Sequence, residues 1–200
     1  MNSAQAAPRL SSRLARLAPE AGFTMIELIT TIVLLGIVSA LFATRFFERE
    51  SFDARAYSDQ VATMLHYGQK LAIAQNRPVY VRFNSNSVAL CFSSANCLVS
   101  NDQVLHPSGA NSGTSATLSA CANNSRWYCE ALPTGLTQSF APNAALTGFY
   151  FDALGKPFAL TDAYPSVNSN FVTTTLTITS SKPGSSSALV IEQETGYVHQ

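Results

Sequence analysis

Charge is what this sequence has least of. Lys, Arg, Asp and Glu make up 12% of its 200 residues, about half the usual fraction of roughly 25%. The 12 basic and 12 acidic side chains cancel. That balance excludes a generally basic nucleic-acid binder and an acidic disordered chain. Also missing are a Gly-x-Ser-x-Gly elbow, a phosphate loop and a dinucleotide fingerprint. The three histidines, His66, His106 and His199, have neither triad nor ligand spacing. No catalytic residue, metal site or cofactor is expected, so the residues do not read as an enzyme. Ser and Thr fill the polar space that charge leaves, a composition common in exported proteins.

One long apolar run stands out. From Leu28 to Thr44 no residue is charged, and from Phe23 to Thr44 the only charge is Glu27. As a helix, Phe23 to Thr44 is about 33 Å long, against a hydrocarbon core of about 30 Å. Arg9, Arg13 and Arg16 precede it, with Glu20 the only acid there. The positive-inside rule then puts the N-terminus in the cytoplasm and the rest of the chain across the membrane. A secretory signal would be shorter and followed by a small-residue cleavage site. Here the small residue, Gly22, comes before the run, which suggests trimming of a leader with the apolar helix kept. Glu27 is costly in a membrane, by at least about 2.5 kcal/mol, and so is a functional candidate. A tolerated acid snorkelling to the interface is the bland alternative.

The string Gly22-Phe23-Thr24-Met25-Ile26-Glu27-Leu28 resembles the type IV prepilin processing motif. The resemblance implies cleavage after Gly22 by a prepilin peptidase, N-methylation of the new N-terminal Phe23, and an assembly role for Glu27. A carboxylate there can pair with the N-terminal ammonium of a neighbouring subunit, and two buried charges together cost far less than one alone. The leader is long and has no Lys or Arg next to Gly22. Met25 stands where Leu is commonest in the family. Thr44 stands where major pilins usually carry a helix-kinking Pro, which points to a minor pilin or pseudopilin.

Beyond the apolar run, Tyr57, Val61, Met64, Leu65, Gly68, Leu71 and Ala72 recur on one helical face, with Asp59, Gln60, Thr63 and Lys70 opposite. Asn76-Arg77-Pro78 is a stop signal. The join from Arg45 to Asp53 has no Gly or Pro, so the pattern predicts one helix from about Phe23 to Gln75. After Pro78 the period changes to two. Val79–Phe83 and Val88–Phe92 flank a turn at Asn84–Ser87 and read as a hairpin. Gly148–Asp152 leads through a turn at 154–157 to a return strand at Phe158–Leu160. Phe171–Thr179 alternates with Thr, and Pro183-Gly184 turns into Ala188–Glu192, with Tyr197-Val198 extending the last pairing. Residues 107–125 read as a surface loop. The expected fold is α+β and type IV pilin-like, a long N-terminal helix packed on an antiparallel sheet domain. Its parts are a leader at 1–22, a membrane or filament-core half-helix at 23–44, an amphipathic half at 45–77 and a periplasmic sheet domain at 78–200.

Cys91, Cys97, Cys121 and Cys129 fall in the part expected outside the cytoplasm, where an even count reads as two disulfides. Three pairings are possible. Short loops close at lower entropic cost, favouring Cys91–Cys97 and Cys121–Cys129. The competing metal reading lacks a CxxC spacing. Trp127 and Tyr128 read as core or disulfide packing more readily than as a binding cage.

The order helix-then-strands, the turn Phe151-Asp152-x-x-Gly155-Lys156-Pro157 and the segment Ile191-Glu192-x-Glu194-Thr195-Gly196-Tyr197-Val198 resemble a minor pseudopilin family, that of the H-type pseudopilins of type II secretion and the pilus minor pilin FimT. The ending is most similar to the minor pilin C group of mannose-sensitive haemagglutinin pili. The resemblance implies a subunit of a type IV pilus or its priming tip complex, or alternatively of a type II secretion system. Its implied partners are the prepilin peptidase/methyltransferase, other pilin subunits met through the N-terminal helix, and the inner-membrane assembly platform. The remaining alternative is a DNA-binding minor pilin for DNA uptake, but nucleic acid is an improbable partner. From Pro78 onward, four cations (Arg82, Arg126, Lys156, Lys182) face six carboxylates (Asp102, Glu130, Asp152, Asp162, Glu192, Glu194), and phosphate binding needs clustered cations. The charge sum also divides. Residues 1–22 hold three Arg and one Glu, or +2, leaving 9 basic and 11 acidic side chains, or −2, for the rest.

Overall fold

A computed structural model of the chain describes residues 23–46, 49–93, 97–181 and 186–200. The fold is α+β, N-terminal helices with antiparallel sheets. Helix α1 spans Met25–Phe46 and α2 spans Arg49–Gln75. Whether they form one unbroken rod turns on Phe47 and Glu48, which lie outside the described residues, as do leader residues 1–22. The chain divides into two compact units, residues 1–45 and 46–200.

In the larger unit, the stripe read from the sequence is the buried face of α2. Tyr57, Val61, Met64, Leu65 and Ala72 are all buried, while Asp59, Thr63 and Lys70 are exposed. The helix ends where expected, with Asn76 in the left-handed region at φ 49°. The Arg77 guanidinium stacks 3.5 Å over the Phe92 ring, a favourable cation–π geometry. Side chains of α2 meet two sheets rather than one. The first has the order β3-β2-β1-β5-β6, where β1 is Val79–Asn84, β2 Ser87–Cys91, β3 Cys129–Ala131, β5 Gly148–Phe151 and β6 Pro157–Ala159. The second has the order β4-β7-β8-β9, where β4 is Leu136–Ala141, β7 Thr174–Ser180, β8 Ser186–Ile191 and β9 Val198–His199. Every pairing is antiparallel. The β1–β2 hairpin pairs Val81 with Leu90 and Phe83 with Val88. Along β7, Thr174, Leu176, Ile178 and Ser180 point inward, as the period-two pattern requires.

Strands β3 and β4 were not expected from the sequence, and neither was α3, Ser115–Ala120, inside the presumed surface loop. Thr114 caps α3, its hydroxyl accepting the Thr117 N–H at 3.1 Å, the usual way a short helix satisfies its first donors. The turn at Pro183-Gly184 lies outside the described residues.

The two late sequence motifs face each other. Asp152 Oδ1 accepts the N–H groups of Leu154 and Lys156 at 2.9 and 2.8 Å, closing the β5–β6 turn. Lys156 Nζ reaches Glu194 Oε2 at 2.7 Å. Between them, the Gln69 side-chain amide of α2 donates to Gly155 O at 2.9 Å and to Thr195 O at 2.7 Å. Gly196 sits at φ +65°, and a Cβ there would lie 2.5 Å from Gly155 O. Only glycine lets these two turns approach so closely.

Candidate functional site

Among the described residues of its own unit, helix α1 has no other element to pack against. Phe23, Met25, Ile26, Leu28, Ile29, Ile32, Val33, Leu34, Leu35, Ile37 and Val38 are all exposed large hydrophobics. They cover every face of the helix, because consecutive positions are among them and a helix turns about 100° per residue. Water does not favour such a surface, and a helix apolar all round belongs in lipid or among other helices. Among the described residues no helix is long and apolar enough to cross a membrane. The side chains described in α1 stop at Ser39 while its backbone runs on to Phe46. From Met25 to Ser39 the rise is only about 22 Å, so a full span needs the apolar residues 40–44 that the sequence supplies.

Two threonines interrupt the apolar surface without leaving open donors. Thr30 Oγ1 donates to Glu27 O at 3.0 Å and Thr31 Oγ1 to Leu28 O at 2.9 Å. Bonded back to their own helix, these hydroxyls need no water.

The start of α1 gathers the residues singled out from the sequence. Phe23 is 77% exposed and precedes the helix. Glu27 lies in the first turn and is exposed. Gly22 lies outside the described residues. Sequence reasoning missed Thr24. Its hydroxyl accepts the Glu27 N–H at 3.3 Å, and its carbonyl accepts the Leu28 N–H at 3.1 Å. Thr24-Met25-Ile26-Glu27 has the spacing of a capping box, and that signal could have been found. An acid in the first turn also meets the positive end of the helix dipole. Glu27 is therefore in a favourable local position and is exposed.

The remaining candidates sit in the larger unit, apart from any such surface. Cys91 is bonded to Cys97, and Cys121 to Cys129. All four pack in one buried cluster with Trp127, whose indole N–H donates to Leu90 O at 2.7 Å. Trp127 is thus core packing beside the disulfides. Tyr128 is buried in the main core, edge-on to Tyr67 and His106. The histidines do not converge. His66 lies against Tyr197, His106 against Tyr128, and His199 Nε2 stands 3.1 Å from Glu192 Oε1. Burial lowers the pKa of His66, with Lys70 adding to the effect; burial also lowers that of His106, against an opposing pull from Glu130. Among the described residues no group of three or more His, Cys, Asp or Glu could hold a metal ion.

Residues 17–43 match the family described as "Prokaryotic N-terminal methylation motif". This stretch contains Gly22, Phe23 and Glu27 and most of α1. Among solved structures, the chain is similar to the type IV minor pilin FimU of Pseudomonas aeruginosa, with 16% identity, a TM-score of 0.43, and coverage of 77% of this chain and 90% of that one. It is also similar to the minor pseudopilin EpsH from the type 2 secretion system of Vibrio cholerae, with 13% identity, a TM-score of 0.46, and coverage of 74% and 94%. No curated protein matches in sequence.

Proposed function

We propose that this chain is a minor pilin or pseudopilin, a structural subunit built into a filament through its N-terminal helix. The observation that carries this reading is the methylation-motif match at residues 17–43, which falls on a helix apolar on every face with one acid in its first turn. A prepilin peptidase would cut after Gly22 and its methyltransferase activity would modify Phe23. Before assembly α1 would cross the inner membrane, with Arg9, Arg13 and Arg16 holding the N-terminus in the cytoplasm and residues 78–200 in the periplasm. The assembly platform would then transfer α1 from lipid to a bundle of neighbouring α1 helices, an exchange between two apolar surroundings. Glu27 would guide docking by pairing with a neighbour's N-terminal ammonium. The subunit would enter a type IV pilus or its priming tip complex; a type II secretion pseudopilus uses the same helix. The segment Ile191–Val198 supports the minor pilin C group of mannose-sensitive haemagglutinin pili within that class.

The test is mass spectrometry of the chain's N-terminus, from filament fractions of cells with and without prepilin peptidase. N-methylated Phe23 is expected in the first and residues 1–22 retained in the second. A filament protein that keeps residues 1–22 would sink the reading. Glu27→Ala should be processed normally yet fail to enter filaments, and normal incorporation would remove the assembly role of Glu27.

A further inference from the structure

A cavity of about 310 Å³ opens in the larger unit between α2, the loop that carries α3, and the segment from β3 onward. Gln60 of α2, Thr114 and Thr117 of the α3 region, and Glu130 and Thr134 lie along it. Its floor holds a carboxylate taken out of water, since Glu130 is 2% exposed. Glu130 Oε1 accepts the Ser112 N–H at 2.8 Å, and Oε2 accepts the Thr117 hydroxyl at 3.3 Å. A carboxylate offers about four acceptor positions, so these two bonds leave it half served. Glu130 takes part in neither of the ion pairs Lys156–Glu194 and His199–Glu192. A buried charge without a counter-charge is among the costlier arrangements a fold can hold.

A second buried polar group in the same unit, on α2, lacks a partner. The Tyr57 hydroxyl, on α2 one turn before Gln60, is buried without a hydrogen bond. Its pKa is pushed up by burial and then by the charge of Glu130, so it lies within that carboxylate's field. Thr117 cannot serve it, because its hydroxyl already takes the Thr114 hydroxyl at 3.0 Å and the Ala131 N–H at 3.3 Å.

We propose that this cavity binds a primary ammonium group on a short aliphatic stem, with Glu130 as its counter-ion. Among the described residues Glu130 is the one charged group of the lining, and its sign excludes an anion. A single carboxylate is too few for calcium, which takes six to eight oxygens including several carboxylates. Among the described residues the walls hold no aromatic platform for a sugar ring; Ala116, Leu132 and Pro133 suit methylene groups instead. The volume lies at the low end of the range of about 300–1,000 Å³ for small-ligand sites, which suits one stem rather than a larger molecule. An ammonium brings three donors, enough for the open positions of Glu130 and for hydroxyl oxygens on the wall. The ammonium could belong to a free amine or to a lysine of another chain. The cavity lies wholly within residues 60–134 and stands independently of the role proposed for α1.

The test is amide NMR of the full chain in detergent micelles, titrated with n-butylamine in one arm and with an end-blocked Gly-Lys-Gly peptide in the other. Saturable shifts at Ser112, Thr117, Glu130 and Thr134 are expected in at least one arm. Saturation by butylamine assigns the site to amines in general, and saturation by the peptide alone assigns it to a partner's lysine. Glu130→Gln should weaken binding at least tenfold, and n-butanol should not bind. If Glu130→Gln fails to fold, Ala116→Trp, at an exposed position on the mouth, should block binding without affecting the fold. Failure of both probes to bind, or equal binding by n-butanol or by a folded Glu130→Gln, overturns the proposal.

Discussion

Helices α1 and α2 are of similar length, 22 and 27 residues, yet they satisfy the same physics in opposite ways. On α2 the apolar residues form one stripe, and the fold covers it with two sheets. On α1 they cover every face, and those described are all exposed. The lesson is that amount of apolar surface does not decide whether a helix belongs to a core. Its angular distribution does. A stripe can be closed by one chain, while a full circumference needs lipid or many neighbours.

Matched substitutions test that contrast directly. The largest effect is expected inside the stripe. Leu65→Ala should lower the stability of the larger unit by about 2–5 kcal/mol, seen as a fall in denaturant midpoint; an unchanged midpoint would mean the stripe is not the core. Leu34→Asp, on α1, should leave that midpoint untouched. It should instead penalise membrane insertion by about 2.5–3.5 kcal/mol, measured as the share of chain resisting alkaline extraction. A loss of domain stability in that variant would break the division between the helices.

Smaller effects sharpen it. Gly196→Ala should cost the larger unit about 1–3 kcal/mol, because its Cβ would press on Gly155 O while the backbone stays at positive φ; a midpoint equal to wild type would show that the two turns can move apart. Thr24→Ala should cost α1 about 1 kcal/mol of N-terminal helix stability, visible as faster amide exchange at Glu27 and Leu28 with no change in the domain. Smallest of all is a pH effect. His66 and His106 have folded pKa values below their unfolded value of about 6.5. The unfolded chain then binds more protons there, so stability is full above pH 6.5 and falls as pH drops through it. Melts at pH 7.5 and 5.5 should differ in that direction, and His66→Gln with His106→Gln should flatten the difference.

Much of this was legible because it rests on local periodicity. The α2 stripe, its stop at Asn76-Arg77-Pro78, and the β1–β2 hairpin follow from side-chain spacing alone. What escaped depends on pairing at a distance. Strand β4 carries Gln138 at an inward position between Leu136 and Phe140, so its alternation was broken by a polar residue whose side chain donates to Asn84 O. Strand β3 has three residues, too few for a period, and is buried throughout. Glu130 within it entered the sequence reading only as one of six carboxylates; only the fold brings Ser112 and Thr117 to it. Helix α3 lay hidden in a Ser-rich stretch whose signal was one capping threonine. The division into two sheets could not be read at all, since nothing in a strand's own residues says which sheet it joins. At the start of α1 the contacts are local instead, Thr24 bonding Glu27 and Leu28 a few residues on, so the capping-box spacing was there to be read.

The meeting of the two late turns at Gln69 has a consequence for the order in which the protein is made. Helix α2 is synthesised early, but its stripe needs Leu189, Ile191 and Val198, which are all buried in the core, and its Gln69 needs Thr195. Most of the chain must therefore be translated, and delivered to one place, before α2 can shed its contact with water. Until Val198 has emerged, the larger unit waits with its central helix half clothed. Premature termination even a few codons before Gly196 would remove the helix's last partners and leave their binding surface open to chaperones and proteases.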